Sequence, residues 1–297
     1  MKKIIFKGCG TAIATPFDEN GVNYAEFQKL LEFQVENGAD AIIVCGTTGE
    51  ASTMTDSERK ETIKFAIDTI DGRIPVIAGT GSNCTASAIE LAKFATNVGA
   101  DGILVVTPYY NKATQNGLVE HYKAIASAVP NTPIIMYSVP GRTGVNILPE
   151  TCLELSKIDN IVAIKEASGD LSQVAKIAAL CRDNLNIYSG NDDQVLPILS
   201  LGGIGVISVF SNVAPQILSD MMKKFWEGNI KEATRLQLES LPLMNALFCE
   251  VNPIPVKAAL NLMGYNFGVP RLPLTPISPK NLEMLKIAME PYLKGMN

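Results

Sequence analysis

Along most of the chain, short runs of apolar, β-branched residues alternate with segments whose apolar positions recur at helical spacing. The runs are GTAIAT (10–15), AIIVCG (41–46), PVIAGT (75–80), GILVVT (102–107), PIIMYS (133–138), IVAIKE (161–166), NIYSG (186–190) and GVISVF (205–210). Most are continuously apolar, the pattern of strands covered on both faces. Helix signals stand between them. Asn23 with Glu26 and Thr55 with Glu58 have capping-box spacing, and Ile63, Ala66, Ile67 and Ile70 form one apolar stripe. Gly38 and Gly99 occupy positions suited to C-terminal caps. Each precedes the start of a strand within a Gly-Ala-Asp triplet, and the two glycines are 61 residues apart. That is two repeats of about 30 residues, the length of a βαβ unit.

Eight strands, each followed by a helix, by about residue 227 predict an α/β fold of the (β/α)8 TIM-barrel type. An open doubly wound sheet is the alternative. After FWEGN the strand pattern stops, and residues 228–297 read as helices interrupted by Pro253, Pro255 and VPRLPLTPISP. The expected organisation is a catalytic barrel over 1–227 and a C-terminal helical extension over 228–297, packed on the barrel rather than folding separately.

Composition narrows the chemistry. Of 297 residues, 47% are hydrophobic and 19% charged, with a net charge of −5, as in a globular protein with a large core. The acidic balance argues against a nucleic-acid partner. The stretch Met1-Lys2-Lys3-Ile4-Ile5-Phe6-Lys7 is too briefly apolar for a signal peptide, and no apolar run approaches a membrane span. A cytoplasmic location is expected. Six scattered cysteines without a C-x-x-C pair suit reduced core side chains. A single histidine, His121, excludes a multi-histidine metal site. Its helical pattern predicts a surface or half-buried position. The chemistry falls to lysine, tyrosine, threonine, arginine and carboxylates.

In a barrel of this class the active site lies at the C-terminal ends of the strands. Those ends carry Gly46-Thr47-Thr48-Gly49-Glu50, Thr107-Pro108-Tyr109-Tyr110, Tyr137 followed by Ser138-Val139-Pro140-Gly141-Arg142-Thr143, and Lys165. Tyr137 and Lys165 are 28 residues apart, one repeat, which predicts similar heights on adjacent strands. V-A-I-K also occurs in kinases, but there is no H-R-D or D-F-G here. A lysine inside a barrel core is costly to keep charged, and desolvation favours the neutral, nucleophilic amine. A lysine snorkelling into water is the plain alternative. Neighbouring hydroxyls favour the nucleophile, because imine formation needs a proton shuttle. Glu166 should face the helices in a structural role.

GTTGE, VTPYYN, YSVPGRT and IKEASGD, in this order, resemble the Schiff-base-forming lyase and synthase family of barrel enzymes, and within it the dihydrodipicolinate synthases. The resemblance covers the whole chain. It implies a lyase that condenses pyruvate with aspartate semialdehyde at the entry to lysine and diaminopimelate biosynthesis. It also implies a homotetramer that needs no metal or organic cofactor. By the same resemblance, Lys165 forms the imine with pyruvate and Tyr137 is the acid-base residue. Thr47 and Tyr110 complete a hydroxyl relay, with Tyr110 reaching in from a neighbouring subunit. Thr48 holds the pyruvate carboxylate, and Gly190 and Ile207 line the site through backbone carbonyls. Arg142 suits the carboxylate of the semialdehyde; its plain alternative is a pair with a surface acid. Sister aldolases acting on 2-keto-3-deoxy sugar acids or sialic acid, and a keto-acid-binding barrel without catalysis, are the competing functions.

Two departures matter. Ser138 stands where the family often has asparagine, which changes a loop hydrogen bond and removes no catalytic group. Family members inhibited by lysine use a histidine and a glutamate at positions that here read Asp56 and Ser87, with Arg59 close by. Weak or absent lysine inhibition is therefore expected.

Overall fold

The structure, a computed structural model, describes residues 2–293; the outermost residues of the expected 1–227 and 228–297 segments lie outside that range. Eight strands form a closed barrel: β1 (Gly8–Ala12), β2 (Ala41–Val44), β3 (Val76–Gly79), β4 (Gly102–Val106), β5 (Ile134–Ser138), β6 (Ile161–Glu166), β7 (Asn186–Ser189) and β8 (Gly205–Ser208). Neighbours follow chain order around the ring, with β1 beside β8 and β2. The barrel expectation holds, and the doubly wound alternative falls. A short antiparallel pair, Phe17–Asp18 with Gly21–Val22, lies outside the barrel sheet.

The helices are α1 (Tyr24–Glu36), α2 (Asp56–Ile70), α3 (Thr85–Asn97), α4 (Gln115–Ala128), α5 (Pro140–Thr143) and α6 (Pro149–Leu155). They continue with α7 (Leu171–Cys181), α8 (Val195–Ser200), α9 (Pro215–Trp226), α10 (Ile230–Ala246), α11 (Ile254–Leu262) and α12 (Pro279–Leu293). Among the described residues, those after 227 hold three helices and no strand. None of the described helices is long and apolar enough to cross a membrane.

Local signals translate into geometry. Thr55 and Glu58 close a full capping box at α2. Asn23 caps α1 by accepting from Glu26 N, while the Glu26 carboxylate turns to Asn266 N. Gly38 and Gly99 follow α1 and α3 with φ of 80° and 95°, the left-handed region where glycine carries no Cβ penalty. The aspartate of each triplet then locks a strand start. Asp40 N donates to Cys9 O and its carboxylate accepts from Cys9 N at 2.8 Å. Asp101 N donates to Val76 O and its carboxylate accepts from Val76 N at 2.9 Å. The repeat read in the sequence is this clamp, used twice.

The first strand starts earlier than GTAIAT suggests. Beyond Ala12 the chain stays buried but leaves regular pairing: Ala14 N donates to Asn212 Oδ1, and Thr15 Oγ1 donates to Gly49 O. His121 corrects the expectation of a surface or half-buried position. It is 5% exposed, with Nδ1 bonded to Thr85 Oγ1 at 2.9 Å and Nε2 unpartnered, and burial pushes its pKa down to about 4.

Contacts divide the chain into two compact units. The first takes residues 2–7 and Pro75–Ile207, the second Gly8–Ile74 and the segment from Ser208 onward. In the first, apolar residues of β3 to β7 other than the half-buried Val106 are almost fully buried, as strands covered on both faces require. In the second, α9 packs on β1 and α10, and α12 packs on α10 and α11.

Candidate active site

Lys165 and Tyr137 are register partners on β6 and β5, as the one-repeat spacing predicts. Each is 6% exposed, and Lys165 Nζ lies 4.3 Å from the centre of the Tyr137 ring. The next residue fixes which way the lysine faces. The Glu166 carboxylate accepts from Gln173 Nε2 of α7 at 2.8 Å and from Ser168 N. Because successive strand side chains alternate, a glutamate on the helix side puts Lys165 on the inner face. Burial raises the Glu166 pKa, and the Ser168 and Gln173 bonds oppose that rise.

A polar network holds these strand ends. Ser138 Oγ donates to Asn146 Oδ1 at 2.8 Å and accepts from Ile147 N. Asn146 Nδ2 donates to Gln173 Oε1 at 2.6 Å, and Gln173 passes the chain on to Glu166. The serine thus keeps the loop hydrogen-bonded where the family often has asparagine. Gly190 leaves room for the lysine. A Cβ there would meet Ala167 Cβ at 2.6 Å, Glu166 O at 3.1 Å and Lys165 Cε at 3.1 Å. Ile207 is fully buried on β8.

Arg142 sits in α5, exposed, with its backbone N donating to Val139 O. Among the described residues it pairs with no surface acid. Tyr110 is 89% exposed and held at φ 74°, beside Lys112 at φ 49°. A bulky residue in the left-handed region costs on the order of 1–3 kcal/mol and persists only where its surroundings impose it.

In the second unit, Thr47 is exposed and Thr48 is buried at 2%. The motif is anchored from the C-terminal segment. Asn252 Nδ2 donates to Thr48 Oγ1 at 3.0 Å. Glu50, at φ 53°, pairs with Lys257 Nζ at 2.7 Å and accepts from Arg271 N at 2.9 Å. Lys257 and Arg271 both stack on the Phe17 ring, at 4.4 and 4.0 Å. Arg271 also grips Glu58 with both terminal nitrogens, which holds that carboxyl down at about 2. Reading the sequence alone misses Asn252, Lys257 and Arg271. The one available signal was Lys257, a cation inside the otherwise apolar IPVKAAL (254–260).

The other candidates are quiet. Cys9, Cys45, Cys152 and Cys181 are buried free thiols, Cys249 is partly buried and Cys84 is exposed. Among the described residues no group of three or more His, Cys, Asp or Glu is placed to hold a metal ion.

Comparison with known proteins gives a consistent result. The model of the dihydrodipicolinate synthetase family matches residues 5–291. A 4-hydroxy-tetrahydrodipicolinate synthase 1 of Clostridium acetobutylicum is 57% identical over 288 residues, covering 97% of this chain and 98% of the relative. The crystal structure of dihydrodipicolinate synthase from Thermotoga maritima has a TM-score of 0.95 and 44% identity, covering 99% of this chain and 100% of the other. A structure described as the first monomeric dihydrodipicolinate synthase variant has the same TM-score and identity, covering 99% and 98%.

Proposed function

The chain belongs to the dihydrodipicolinate synthetase family, and from that premise we propose that it is a 4-hydroxy-tetrahydrodipicolinate synthase, a lyase acting on pyruvate and L-aspartate 4-semialdehyde. The observation that carries the reading is Lys165, buried on the inner face with its amine against Tyr137. The amine adds to the keto carbon of pyruvate, and loss of water leaves an imine. Proton loss from the methyl group gives the enamine, whose carbon attacks the semialdehyde. The semialdehyde's own amine then displaces Lys165 and closes the ring.

Each step moves protons, and Tyr137, whose ring lies against the amine, carries them. Thr47 and Tyr110 extend the relay, Tyr110 being supplied by a neighbouring subunit. Thr48 binds the pyruvate carboxylate and Arg142 the carboxylate of the semialdehyde, in the planar geometry a guanidinium offers. Gly190 and Ile207 line the site through their backbones. Residues 1–227 form the catalytic barrel and 228–297 its helical extension. The protein works in the cytoplasm as a homotetramer, for lysine and diaminopimelate biosynthesis. It escapes strong lysine inhibition, because Asp56 and Ser87 replace the histidine and glutamate of inhibited relatives.

Borohydride reduction with pyruvate tests the reading. The reduced pyruvyl adduct is expected on Lys165, and Lys165→Ala should lose both the adduct and turnover of pyruvate with the semialdehyde. Absence of an adduct in the wild-type protein would leave a keto-acid-binding barrel. An adduct without turnover of the semialdehyde would leave a sister aldolase.

A further inference from the structure

Thr48 is 2% exposed, and its hydroxyl oxygen accepts the Asn252 amide N–H at 3.0 Å. A hydroxyl has one proton and two lone pairs. With the amide occupying one lone pair, the Thr48 proton is directed away from Asn252. Among the described residues no acceptor takes that proton. The amide itself is 4% exposed, and its Oδ1 has no hydrogen-bond partner. A buried acceptor left empty costs the fold stability and calls for an explanation. The explanation lies in the direction of the neighbouring bond, because Asn252 is turned to give its N–H to the threonine. The Lys257–Glu50 pair, 1% exposed on each side, ties the same C-terminal segment to the end of the GTTGE motif.

We propose that Asn252 is a positioning residue for pyruvate: its amide fixes the Thr48 hydroxyl as a donor to the substrate carboxylate. The proposal rests on the reading that Thr48 binds that carboxylate. With aspartate at 252 the bond would run the other way. An ionised carboxylate can only accept, so it would capture the Thr48 proton and set a negative charge beside an anionic substrate.

The test measures the pyruvate concentration that gives half-maximal borohydride-trapped adduct on Lys165. It compares wild type, Asn252→Ala, Asn252→Asp, Thr48→Val and the double variant Thr48→Val/Asn252→Ala. Asn252→Ala should raise that concentration about tenfold, the size expected when the Thr48 hydroxyl no longer donates to the charged carboxylate, with the KM for the semialdehyde within about twofold of wild type. In the Thr48→Val background the alanine should add less than about twofold, since coupled residues are not additive. Asn252→Asp should be worse than alanine at high pH. Relative to wild type at each pH, it should recover as acid protonates the new carboxylate, a response that mere loss of packing does not produce.

Three results would overturn the proposal: a full tenfold effect of alanine in the Thr48→Val background, a wild-type value for Asn252→Ala, or an aspartate ratio flat with pH. Should the alanine variant not fold, the pH series of the isosteric aspartate variant decides alone. If Thr48→Val itself binds pyruvate normally, the carboxylate assignment fails and the proposal goes with it, separately from the imine at Lys165.

Discussion

At the scale of single residues, two buried titratable side chains are handled differently. Lys165 keeps its amine against an aromatic face, with Gly190 giving up a side chain to make space. His121 is simply kept neutral. Its pKa falls to about 4 in the folded chain against roughly 6.5 when unfolded. Between those values the unfolded state binds the extra proton, so stability is fully present above about 6.5 and is lost as pH falls toward 4. The full shift corresponds to roughly 3 kcal/mol. Asp40 and Glu166, raised by burial, act with the opposite sign at the acid end of this window. The difference between wild type and His121→Gln isolates the histidine. Urea midpoints should converge with acidification from pH 7 to pH 4.5, and a constant gap between the two proteins would contradict the assignment. His121 also shows a limit of pattern reading. Its helix was legible, but the threonine on α3 that receives its ring was not.

At the scale of elements, the GTTGE turn depends on groups remote in sequence. Glu50 and Lys257 form a buried pair, and Arg271 contributes both a backbone donor to Glu50 and a guanidinium to Glu58. Removing one member of such a pair strands the other charge, at about 3–5 kcal/mol. Lys257→Met should therefore lower the melting temperature by several degrees. Lys257→Met combined with Glu50→Gln should regain most of the loss, because no net charge then stays buried. Thermal melts of the two variants check this, and equal destabilisation would refute the stranded-charge account. The strands and most caps were legible because each uses neighbours within a few residues. Thr55 with Glu58 and the glycines after α1 and α3 are local devices. The anchors of the turn were not legible, since nothing near Asn252 or Lys257 names the partner some 200 positions earlier.

At the scale of the whole molecule, the informative residue is Tyr110, almost fully exposed and held in a strained backbone conformation. If each site borrows this phenol from a neighbour, Tyr110→Phe should cut kcat about a hundredfold, within the range for losing a proton shuttle. Two crippled proteins should then rescue each other. Mixing Tyr110→Phe with Lys165→Ala under conditions of subunit exchange should restore up to about a quarter of wild-type activity, since half the pairs are mixed and each mixed pair holds one intact site. No recovery after verified exchange would place Tyr110 outside the partner's site. The sequence by itself determined the strand-helix alternation, the barrel, the one-repeat spacing of Tyr137 and Lys165, and the classes of chemistry open to a chain with one histidine. Those follow from periodicity and side-chain type, which are local properties. Tertiary structure alone decided that Glu166 belongs to the Ser138–Asn146–Gln173 network, that His121 is buried, and that Asn252 meets Thr48. Hydrogen bonds and burial depend on what folding brings within about 3 Å, and separation along the chain carries no record of that distance.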